Sequence, residues 1–82
     1  MTANQRPQSR SENDSGIPGL TRSELLCLTM VAEGMTVDVI RSELSLTSTE
    51  LEFLLFCAQR KLNAGNLLQA VSIALAKGYI SL

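Results

Sequence analysis

The sequence predicts an all-α domain of four helices behind a polar N-terminal tail, and three observations carry that prediction. Capping pairs recur ahead of apolar periodic runs: Thr21 with Glu24, Thr47 with Glu50, and Asn66 with Gln69 each set a capping side chain three residues before a Glu or Gln that can reach back. Gly34 and Gly78 stand where a helix wants a left-handed residue at its end, a conformation that glycine takes without steric cost. The apolar content, 45 % of the chain, rests on Leu, Val, Ile, Ala and Met with no Trp, one Tyr and two Phe, which suits packed helices better than sheets.

Residues 1–18 hold Ser, Asn, Gln, Arg and Pro and hardly a large apolar side chain, so they cannot bury enough surface to offset the entropy of ordering. They are expected to form a disordered tail, with residues 19–82 as the folded domain. The tail's Arg6 and Arg10 are balanced by Glu12 and Asp14, which argues against a basic arm reaching into a DNA groove. The first helix is expected over about 22–33 from Thr21 to Gly34, and a short second one over about 37–44 opens at Thr36. A third follows over about 48–62 and a fourth over about 67–77. Only Ser45, Leu46 and Thr47 separate the second from the third, and so short a link makes the two cross steeply around a shared apolar contact, the geometry of a helix-turn-helix. Leu28, Val31, Ile40, Leu44, Leu46, Leu51, Leu55, Leu62, Ala70 and Ala74 recur at helical spacing and form the expected core.

Charge and chemistry narrow the function. A net charge of −1 gives no global pull toward nucleic acid, so any DNA contact must be argued locally. Cys27 and Cys57 are too few and too far apart for a paired-cysteine metal site, and with no His there is nothing to complete a zinc shell; both read as reduced thiols of a cytoplasmic protein. No apolar run is long enough for a signal sequence or a membrane span. Catalysis is not expected, for the chain lacks a glycine-rich phosphate loop, a nucleophile elbow and a carboxylate cluster, and its acids sit at caps or on solvated helix faces. Neither a cofactor nor a small-molecule ligand is expected.

Leu20-Thr21, Glu24, Leu28, Val31-Ala32, Gly34, Ile40, Leu44, Leu46-Thr47, Leu51, Leu55, Lys61-Leu62, Asn66, Ala70, Ala74 and Gly78 together resemble the LuxR/GerE DNA-binding domain, from Leu20 to about Ile80 without a gap. That resemblance implies a four-helix LuxR/GerE-type helix-turn-helix domain whose third helix enters the DNA major groove and whose fourth contributes to dimerisation. The matching residues are those that build the fold. Where the family typically has Lys, Thr-Val and then His in the third helix, this chain has Thr49, Glu50-Leu51 and Leu54, and the usual Arg before the first-helix Glu is Ser23.

On the third helix, Leu51, Leu55, Ala58 and Leu62 share one face, while Phe53 and Phe56 share the other with Thr49, Cys57 and Arg60. Either the helix is phased differently and the two rings are core, or they form an exposed apolar patch of the kind that marks a protein contact. Glu50 and Glu52 suit a helix N-terminus but repel phosphate. On the fourth helix Leu68, Val71 and Leu75 make a second apolar stripe, expected to bury itself in a homo- or heterodimer. Two functional readings follow. The first is a transcription-regulatory module that binds a protein partner, such as another regulator, through Phe53, Phe56, Arg60, Glu50 and Glu52 as antiactivator or dimerisation partner, with DNA binding weak or absent. The second is a free-standing sequence-specific DNA-binding regulator using Thr49, Arg60, Lys61 and Arg41. The apolar and acidic substitutions on the third helix favour the first.

Overall fold

The computed structural model describes residues 19–82, so the tail expected over 1–18 lies outside the described residues. Four helices follow in order: α1 (Arg22–Ala32), α2 (Val37–Glu43), α3 (Ser48–Lys61) and α4 (Leu67–Ala76). Each stops within one residue of the expected span, and no strand occurs among the described residues.

The starts are built as the capping pairs require. Thr21 and Thr47 accept hydrogen bonds from the N–H groups of Glu24 and Glu50 at 3.1 Å, and each Glu accepts in return from the Thr backbone N–H at 2.8 Å. Such caps satisfy donors that the first helical turn leaves unpaired and contribute about 1 kcal/mol each. The third pair is only half of that arrangement. Asn66 accepts from the Gln69 N–H at 2.8 Å, but the Gln69 amide accepts from Gly65 instead of Asn66. The N-cap of α4 is more extended, with Asn66 at φ −158°, which carries its own N–H away from the Gln69 side chain.

All four helices stop by one device. A left-handed residue follows each C-cap, at Gly34, Ser45, Asn63 and Gly78, and the next N–H returns to the carbonyl five residues earlier: Met35 to Met30, Leu46 to Arg41, Ala64 to Gln59 and Tyr79 to Ala74. These are Schellman turns, and they occupy carbonyls that the helix ends would otherwise leave open. Two use glycine as expected. Asn63 and Ser45 take the same conformation, which Asn tolerates and Ser pays for with roughly 1 kcal/mol of steric cost.

α1 and α3 form the central pair, with α4 packed on both and α2 held against α1. One apolar cluster joins Leu20, Leu28, Ala58, Leu62, Ala70, Val71, Ala74 and Ile80; a second joins Cys27, Ile40, Leu51 and Leu55. Val31 and Leu67 touch both. Val31, Leu44 and Leu46, expected to be buried, are half-buried. Val31 lies in the last turn of α1, and Leu44 and Leu46 flank the turn between α2 and α3, so each packs against the core from an element end.

Candidate functional site

The side of α3 turned away from the core is the face that sequence reasoning marks. Leu51, Leu55 and Ala58 hold the helix to the domain. That phasing leaves Phe53 and Phe56 outside, 65 % and 55 % exposed, which excludes the alternative that the rings are core. Thr49, Glu50, Glu52 and Arg60 are exposed beside them, and Cys57 is half-buried on the flank. Spacings of four, three and four residues set Thr49, Phe53, Phe56 and Arg60 in one stripe along the helix. The Arg60 guanidinium lies over the Phe56 ring at 5.9 Å, the outer range of a cation–π contact.

The cations considered for phosphate contact differ in how firmly they are held within the chain. Lys61 Nζ donates to both carboxylate oxygens of Glu24 at 2.9 Å. The Glu24 side chain is only 4 % exposed, so this bond matches a buried charge and joins the start of α1 to the end of α3. Capping chemistry made Glu24 visible in the sequence, but nothing local connects it to a lysine so distant in the chain. Arg41 pairs with Asp38 at 3.3 Å, an exposed contact within one turn that stabilises little and opens readily. Arg60 rests on Phe56.

The α4 stripe divides. Leu68 and Leu75 are exposed, at 76 % and 37 %, but Val71 is 7 % exposed within the core cluster and cannot face a partner as the sequence pattern implied. α4 lies against both α1 and α3, so the apolar sector it buries is wider than one stripe.

Cys27 was not marked as core, yet it is fully buried beside Ile40, Leu51 and Leu55. Burial first, and then the negative charge of Glu24, push its thiol above the ordinary value of 9.0. Lys61, Leu62, Asn63, Ile73, Lys77 and Tyr79 line a concavity of about 160 Å³. That is below the roughly 300 Å³ at which sites for drug-sized ligands begin. No group of three or more potential metal-ligating side chains occurs among the described residues, and none of their helices is long and apolar enough to cross a membrane.

Comparison with known proteins agrees with this four-helix fold. The family model for bacterial regulatory proteins of the luxR family matches residues 18–74. Curated protein sequences give no match. Among solved structures, the crystal structure of a phage VqmA–DPO complex is similar, with 30% sequence identity and a TM-score of 0.70 over 78% of this chain. The present chain spans 29% of that longer one.

Proposed function

The chain belongs to the luxR family of bacterial regulatory proteins, and from that premise we propose that it regulates transcription through protein contacts made by the outer face of α3. One observation carries the reading: the helix that the fold presents for DNA instead presents two exposed phenyl rings flanked by Glu50 and Glu52. Major-groove reading needs phosphate contacts to fix the helix in register, and those come mostly from Lys, Arg and free helix N–H groups. Here Lys61 serves Glu24, Arg60 lies on Phe56, and Glu50 caps the helix start where phosphate would approach.

On this reading the protein is a cytoplasmic antiactivator or dimerisation partner of another regulator. Selection from a pool of random duplexes at about 150 mM salt tests it, because non-specific binding carried by few cations disappears at that ionic strength. The expected result is no enriched sequence, together with a protein adduct in the native cell when a photo-crosslinking amino acid replaces Phe53. An enriched operator whose binding depends on Arg60, Thr49, Lys61 or Arg41 returns α3 to direct DNA reading and removes the proposal.

A further inference from the structure

We infer that the outer face of α3 pairs with the same face of a second copy, antiparallel, about a two-fold axis passing between Phe53 and Phe56. The inference rests on the reading of this face as a protein contact, and it names one occupant. A two-fold interface must be self-complementary, because each residue meets the symmetry mate of its own counterpart. The stripe meets that condition. Its spacing of four, three and four residues is the alternation of a coiled-coil seam, with Thr49, Phe53, Phe56 and Arg60 at the inward positions and Glu52 on the flank. Reversing one copy sets Phe53 against the second copy's Phe56. It also brings Arg60 of each copy to the N-terminal half of the other helix, where Thr49, Glu50 and Glu52 lie.

Charge supports the same direction of pairing. Glu50 and Glu52 have no cationic partner among the described residues, and Arg60 has only the Phe56 ring. Acid gathers at one end of the stripe and base at the other, so a parallel pairing would oppose like charges while the antiparallel one joins unlike charges. Size sets the strength. At 65 % and 55 % exposure the two rings offer roughly 240 Å² of phenyl surface per copy. A standard interface buries about 800 Å² per partner, so pairing through these rings belongs with the small, transient interfaces. A dimer of that strength keeps the face covered when the protein is concentrated and releases it to a tighter partner.

Sedimentation equilibrium on the full chain, from about 1 to 500 μM, reads the association directly. A monomer–dimer equilibrium with a Kd of tens of micromolar is expected, weakened at least tenfold by Phe56→Asp. Glu52→Arg and Arg60→Glu should each weaken it, and the double variant should restore it to within about threefold of the parent, because the swapped charges meet again. Circular dichroism melts of each variant confirm that the fold is kept. Leu68→Glu with Leu75→Glu should leave the equilibrium unchanged. A monomer throughout the range, a dimer sensitive to the α4 variant alone, or a double swap no better than either single one overturns the inference. Those results leave the protein-contact reading standing; only operator recognition by α3 removes both.

Discussion

α3 and α4 each carry two apolar stripes, yet the molecule treats them differently. α4 lies in the angle between α1 and α3, so part of its second stripe is drawn inside: Val71 is 7 % exposed while Leu68, one turn away, is 76 % exposed. Nothing among the described residues covers the far side of α3, and both of its phenyl rings stay out. A second apolar stripe on a helix therefore signals a partner only where the chain has no neighbour of its own to supply. Among the described residues the second stripe of α3 stays uncovered, and that of α4 is covered in part.

The most severe test of this contrast is Val71→Glu. A charge placed in the closed cluster with no partner should cost about 4 kcal/mol or more and unfold a domain of this size, whereas Leu68→Glu should stay within about 0.5 kcal/mol of the parent in urea denaturation. Equal tolerance of both would place Val71 outside and restore the three-residue stripe.

Next comes the ion pair at the end of α3. Lys61→Met strands a carboxylate that is 4 % exposed and should cost about 2–3 kcal/mol. Glu24→Gln keeps the capping geometry and leaves only a half-exposed lysine, so about 1 kcal/mol is expected. The order of these two costs is the informative result, because a purely DNA-facing Lys61 would show no cost at all.

A gain is expected at the entrance to α3. Ser45 holds φ 55°, and Ser45→Gly relieves the steric cost of that conformation, for a rise in stability of at most about 0.5 kcal/mol after the greater freedom of the unfolded glycine is allowed for.

The smallest effect lies beneath α3, at Cys27. Its folded thiol holds its proton above 9.0, the value at which an unperturbed thiol loses it. Once the pH exceeds 9.0, the unfolded chain binds fewer protons than the native one, so stability falls with rising pH until the folded thiol also ionises. The contribution is fully present below 9.0 and lost above it. Comparing alkaline unfolding of the parent with that of Cys27→Ala isolates this slope, which the variant should lack. Iodoacetamide at neutral pH should label half-buried Cys57 well before Cys27.

Most of the fold was legible because helix boundaries are local chemistry. Thr21, Thr36, Thr47 and Asn66 mark the starts by side chains that bond a few residues away, and Gly34 and Gly78 mark ends by backbone freedom. Asn63 and Ser45 mark the other two ends less plainly, since neither residue type is confined to that conformation. The phasing of α3 was legible too, and with it the exposure of Phe53 and Phe56. What local pattern could not show is which helix covers which. The union of Glu24 with Lys61, the inward turn of Val71 and the closure of the core by Leu20 and Ile80 at its two ends all depend on contacts between distant segments.

The four Schellman turns also govern how quickly the chain can find its fold. The first three lead from one helix into the next within a few residues, and most contacts close short loops. Helical domains dominated by such local closures fold in microseconds to milliseconds. Both prolines of the chain, Pro7 and Pro18, precede Gly19, so no prolyl bond lies among the helices to impose an isomerisation lasting tens of seconds. Refolding of the domain should run as a single fast phase, timed by the docking of α3 and α4 onto α1.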